Sequence, residues 1–84
     1  MNVFDTVAAT LAELSGVEQI CAGQSLQGDL GLDSIQLVTL LMELEDSFQI
    51  VLDEADMNPF DLLTVAHVVE LVDKYVNPRT ESED

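Results

Sequence analysis

An all-α bundle is the fold class this 84-residue sequence predicts, on three observations. Apolar residues recur at spacings of three and four. No stretch alternates polar and apolar as a half-buried strand would. Helix start and stop signals bracket the periodic segments. A chain of this length makes one small domain. Its 48% hydrophobic content separates it from acidic disordered segments. With no Trp, one Tyr and three Phe, the core must be mostly aliphatic.

The first helix runs from about Val3 to Leu14, with Phe4, Val7, Ala8, Leu11 and Leu14 on one side. Ser15-Gly16 stops it, since Gly accepts the left-handed backbone at a helix end. A long loop over residues 16–33 contains all four glycines, and Leu26, Leu30 and Leu32 pin it to the core. Connections of that length are uncommon in compact domains and often functional. The second helix opens at Asp33, an N-cap with Gln36 three residues on in a capping-box pattern, and ends near Phe48. Its apolar positions Ile35, Leu37, Val38, Leu40, Leu41, Met42 and Leu44 are too many for one buried stripe. Leu37, Leu40, Leu41 and Leu44 are expected in the core, and Ile35, Val38 and Met42 partly exposed. Ile50 and Leu52 read as an extended, buried connector. Asn58-Pro59 starts a short third helix through about Leu62. Thr64 caps a fourth, with Val65, Val68, Val69, Val72, Tyr75 and Val76 as its stripe, and Asn77-Pro78 ends it. The domain is expected over residues 1–77, with a disordered acidic tail over 78–84.

Seventeen acidic residues against two basic ones give a formal charge of −15. Phosphate backbones and anionic membranes are bound by Lys and Arg clusters, and this chain has none, so nucleic-acid and membrane-surface binding are excluded. The longest nearly apolar run, Leu37 to Met42 interrupted by Thr39, falls far short of the ~20 residues of a spanning helix. The N-terminus lacks a basic region and carries Asp5, unlike a secretory signal. Cys21 is the single cysteine, which excludes an internal disulfide, fits a reduced cytoplasmic setting and reads as a loop packing residue. The single His67 has no partners for nucleophilic catalysis and reads as structural. Calcium-loop spacing fails from both Asp53 and Asp29, which leaves no dedicated metal site. An enzyme is not indicated.

What remains is Leu30-Gly31-Leu32-Asp33-Ser34-Ile35. Gly31 allows a tight turn, Asp33 caps the helix, and Ser34 falls at the first helical position. There the partial positive charge and free N–H groups of a helix N-terminus welcome a phosphate. This hexapeptide resembles the phosphopantetheine attachment motif of acyl carrier proteins. The likeness continues through Leu44-Glu45-Asp46-Ser47-Phe48-Gln49-Ile50 and Leu63-Thr64-Val65, and so covers most of residues 3–76. It implies an acyl-carrier-protein-like four-helix bundle. In it Ser34 carries a covalent 4′-phosphopantetheine arm beside Asp33 and Gly31, cargo rides as a thioester, and Cys21 has no required role.

The resemblance also implies that the second helix meets partner enzymes. Expected partners are a phosphopantetheinyl transferase and an acyltransferase, ketosynthase or adenylating ligase with basic docking surfaces, met by a monomer. Ile35, Val38 and Met42 share a helical face with Ser34, and Glu43, Glu45, Asp46, Asp53, Glu54 and Asp56 supply charge. Carriers of primary fatty-acid synthesis commonly place acids just after the motif, where this chain has Gln36 and Thr39. A freestanding carrier of secondary metabolism, polyketide or hybrid peptide–polyketide, is therefore expected. Asn58-Pro59-Phe60 keeps open an aminoacyl or peptidyl carrier loaded by an adenylating enzyme. An acidic helical adaptor with no prosthetic group stands as the alternative of another class.

Overall fold

The computed structural model describes residues 3–56, 58 and 62–77. Three helices organise them: α1 (Val3–Ser15), α2 (Ser34–Phe48) and α3 (Val65–Val76). A 3₁₀ turn over Glu54–Asp56 lies between α2 and α3. Among the described residues there is no strand, only a single antiparallel bridge between Ser25 and Thr64. The fold is all-α, as the periodicity predicts. The helix expected second is α2 and the helix expected fourth is α3. The short third helix expected from Asn58 to Leu62 falls largely on residues 59–61, outside those described, as does the tail expected over 78–84. The 3₁₀ turn lies between the connector expected at Ile50 and Leu52 and the helix expected from Asn58, where no element was expected.

Helix α1 packs against both α2 and α3. Val7 and Leu11 meet Leu37, Leu40, Leu41 and Leu44 from α2 and Val65, Val68 and Val72 from α3, all fully buried. Leu26, Leu30 and Leu32 from the loop, Leu52 from the connector and Leu62 complete this aliphatic core. Ile50, expected buried, is half-buried against it. Thr10 also sits inside α1's buried face, and its hydroxyl donates to the Thr6 carbonyl at 3.0 Å, so no polar atom is stranded there.

The loop over 16–33 has regular backbone pairing without being a sheet. Gly16 adopts φ +77° and ends α1, with its N–H donating to the Ala12 carbonyl at 2.9 Å. The amide of Leu26 donates to the Leu63 carbonyl (3.0 Å), that of Val65 to Gln24 (3.0 Å), and that of Ala66 to Ala22 (2.9 Å). The first-turn amides of α3 have no acceptor within their own helix. The loop supplies two, and the Thr64 hydroxyl accepts from the His67 amide at 3.3 Å. His67 is exposed, and its Nδ1 accepts from the Leu63 amide at 3.3 Å, a structural role as expected. Cys21 corrects the reading: its side chain is exposed rather than packed, while its amide donates to Gln24 Oε1 at 2.7 Å.

Helix α2 ends on Gln49, which has φ 57° and ψ 47°. A residue with a Cβ pays a steric cost in that left-handed region that glycine avoids. Gln49→Gly is expected to raise stability by about 0.5–1 kcal/mol. In thermal unfolding that is a midpoint rise of about 3–6 °C.

Candidate functional site

The junction between loop and α2 is built to hold one residue in place. Gly31 takes φ +70°, a conformation unfavourable for any side chain. On either side of it Leu30 and Leu32 are buried and fasten the turn to the core. Asp33 follows with extended backbone and accepts the Gln36 amide on Oδ1 at 2.8 Å. Gln36 returns the bond through Oε1, which accepts the Asp33 amide at 3.2 Å, completing the capping box. The Gln36 side chain also donates from Nε2 to the Leu14 carbonyl at 3.3 Å, tying the start of α2 to the end of α1. Sequence reasoning found the cap but missed this third bond.

Ser34 is the first residue of α2 and is half-buried. Among the described residues no group hydrogen-bonds its hydroxyl, and the amides of the first turn point outward beside it. A phosphate joined to that hydroxyl would therefore meet the positive end of the α2 dipole without displacing a side-chain contact. The residues present fit a phosphate-linked group. Ile35 is 77% exposed, Val38 38% and Met42 58%, while Leu37, Leu40, Leu41 and Leu44 face inward. The surplus of apolar residues on α2 divides between two faces.

The acids expected around α2 divide too. Glu43, Asp46, Asp53 and Glu54 are exposed. Glu45 is half-buried, and its Oε2 accepts the Leu52 amide at 2.8 Å. Asp56 is also half-buried: it accepts a short hydrogen bond from the Tyr75 hydroxyl and pairs with Lys74 Nζ at 3.4 Å. The Tyr75 oxygen in turn accepts the Asp53 amide at 2.9 Å. Two of the six acids thus hold the segment after α2 against the bundle. Val51, between Ile50 and Leu52, is 84% exposed, and the sequence reading passed over it. The signal was there: where alternate residues of an extended segment point inward, the one between them points out.

Residues 5–72 match the family described as phosphopantetheine attachment site. An acyl carrier protein of Saccharopolyspora erythraea is 37% identical over 72 residues, covering 83% of this chain and 74% of its own. That of Thermotoga maritima is 34% identical over 75 residues (87% and 90%), and that of Desulforapulum autotrophicum 38% over 77 (88% and 97%). The chain belongs to the acyl carrier protein family. It is a carrier with a phosphopantetheine attachment domain, not a catalyst. Among the described residues of this carrier no helix is long and apolar enough to cross a membrane, and no cluster of His, Cys, Asp or Glu is arranged to hold a metal ion.

The Asp56 contacts give the carrier a defined pH response. The hydrogen bond from Tyr75 holds the Asp56 carboxyl below its ordinary value of 3.8, against a smaller upward push from burial, with Lys74 helping. The same bond raises the Tyr75 hydroxyl above its ordinary 10.0, partly offset by the Asp53 amide. For the acid, the stabilisation is complete above pH 3.8 and is lost as the pH falls through the lowered folded value. For the phenol, it is complete below pH 10.0 and is lost as the pH rises through the raised value. Tyr75→Phe is expected to be less stable than wild type at pH 6. Urea midpoints measured at pH 6 and again near pH 2.5 should show that difference shrinking at the lower pH.

Proposed function

We propose that Ser34 carries the 4′-phosphopantetheine arm and that the α2 face below it docks the enzymes that load and use the arm. The observation that carries this is the geometry of Ser34. Its hydroxyl stands at the first position of α2 with no side-chain partner among the described residues, behind a capping box that pins its backbone. Loading joins the Ser34 oxygen to the phosphate of the arm as a phosphodiester while the pyrophosphate bond of coenzyme A breaks and adenosine 3′,5′-bisphosphate leaves, the hydroxyl proton passing to the phosphopantetheinyl transferase. When attached, the group supplies a thiol that holds acyl cargo as a thioester. Asp33 and Gln36 keep the hydroxyl at the helix end, and Gly31 makes the turn that presents it. Ile35, Val38 and Met42 give partner enzymes an apolar contact next to the attachment point, and Glu43, Asp46, Asp53 and Glu54 steer basic surfaces towards it. A monomer in the cytoplasm suits the charge of −15 and the single exposed thiol.

We further propose a dedicated pathway, polyketide or hybrid peptide–polyketide, over primary fatty-acid synthesis. The first two turns of α2 present no acid. Gln36 is engaged with Leu14, and the Thr39 hydroxyl donates to the Ile35 carbonyl at 3.0 Å. Free carboxylates begin only at Glu43, so charge recognition moves down the helix relative to carriers with acids beside the motif.

The test is intact mass after incubation with coenzyme A, Mg²⁺ and a broad-specificity transferase. Wild type is expected to gain one phosphopantetheine, and Ser34→Ala none, with unchanged helical content by circular dichroism. Modification of Ser34→Ala would move the attachment point elsewhere.

A further inference from the structure

Three hydrogen bonds run in series from α3 to the turn that carries Ser34. The Leu63 amide donates to His67 Nδ1 at 3.3 Å, and the Leu63 carbonyl accepts the Leu26 amide at 3.0 Å. The Leu26 carbonyl in turn accepts the Leu32 amide at 3.0 Å. Leu32 is buried and directly precedes Asp33, the cap of α2. Leu63 has little anchorage of its own, because its side chain is 60% exposed. Its amide and carbonyl therefore hold it in place.

The first bond of the series differs in kind from the other two. Its acceptor is an imidazole nitrogen, which accepts only while the ring is neutral. Imidazole is the side chain whose charge ordinarily changes between about pH 5 and 8. Protonation places an N–H on Nδ1, facing the N–H of Leu63. His67 also lies in the first turn of α3, where the partial positive charge of the helix end repels a cation. Its own amide is held by the Thr64 hydroxyl at 3.3 Å, so the backbone stays while the exposed ring turns into solvent. The charged and titratable groups around this turn are Glu70 on the next turn of α3, Glu18, Cys21 and Asp29 on the loop paired with it, and Glu13 at the end of α1. We propose that His67 is a pH-sensitive latch on the attachment turn. Neutral, it fastens Leu63 and, through Leu63, Leu26 and Leu32. Protonated, it releases Leu63 and loosens the pairing of residues 22–26 with 63–66. The core of the bundle stays intact, since none of its members is ionisable. The latch acts on the bare chain and does not depend on what Ser34 carries.

The experiment is amide hydrogen exchange, read by NMR on the full unloaded chain at pH 7.5 and pH 5, each rate normalised to the intrinsic rate at its pH. His67→Asn and His67→Ala are measured alongside. Asparagine offers an acceptor oxygen close to the position of Nδ1 and does not titrate. In wild type, protection of the Leu63 amide is expected to fall about fivefold from pH 7.5 to pH 5, and that of Leu26 about twofold. The Gly16 amide, bonded to Ala12 at the end of α1, should not change. His67→Asn should keep the protection of neutral wild type at both pH values, and His67→Ala should show the low level at both. Equal Leu63 protection at the two pH values in wild type would overturn the latch. A loss in His67→Asn as large as in wild type would also overturn it, assigning the effect to the surrounding acids. So would an acid loss shared equally by Gly16, which would report loosening of the whole bundle. Wild type against His67→Asn decides the matter by itself if His67→Ala does not fold.

Discussion

Gln36 holds the start of α2 in three directions at once. Its amide donates to Asp33, its carbonyl oxygen accepts from Asp33, and its amino group reaches the end of α1 at Leu14. A helix end otherwise frays, because its first amides lack partners. Here the fraying end is fastened to a neighbouring helix, and Ser34 lies between the two residues that fasten it. The hydroxyl is thereby fixed in position while its own bonding capacity stays unused. The buried leucines on either side of Gly31 serve the same end from the loop side.

The rest of the fold arranges itself around that anchored helix. Helix α1 bridges α2 and α3 through an aliphatic core, and the long loop lends carbonyls to the first turn of α3. Past α2, Glu45 from the helix and Tyr75 with Lys74 from α3 hold the connector at two points. The Lys74–Asp56 pair, with its lysine largely in solvent, contributes little by itself; the Tyr75 hydroxyl joins both the Asp53 amide and the Asp56 carboxylate. The outer face that results runs from Ser34 to Val51, apolar along its middle and acidic at its lower rim. A −15 chain with such a face suits brief, steered encounters with basic partners.

Much of this could be read from the sequence because it is local. The capping box is a three-residue pattern, the Thr64 cap a single residue before a valine-rich stripe, and the split of α2 into inner leucines and outer Ile35, Val38 and Met42 follows from helical period. What escaped was non-local. Nothing in the order of residues shows that Gln36 reaches Leu14, twenty-two positions away, or that residues 22–26 pair with 63–66. Nor does a carboxylate's type reveal whether it meets solvent or a backbone amide. Glu45 and Asp46 look alike in sequence, yet one is held by Leu52 and the other is exposed. Cys21 was read as a loop packing residue, and it is exposed, with its backbone amide held by Gln24.

The central claim concerns one oxygen atom, and peptide-level mass spectrometry of the loaded protein addresses it most directly. Fragmentation of the peptide spanning residues 27–37 is predicted to place the whole added mass on Ser34, with Ser15, Ser25, Ser47 and Ser82 unmodified in the same digest. Added mass on any of those four serines, or on Cys21, would contradict the account, because the anchored helix end would then not be where the arm is attached.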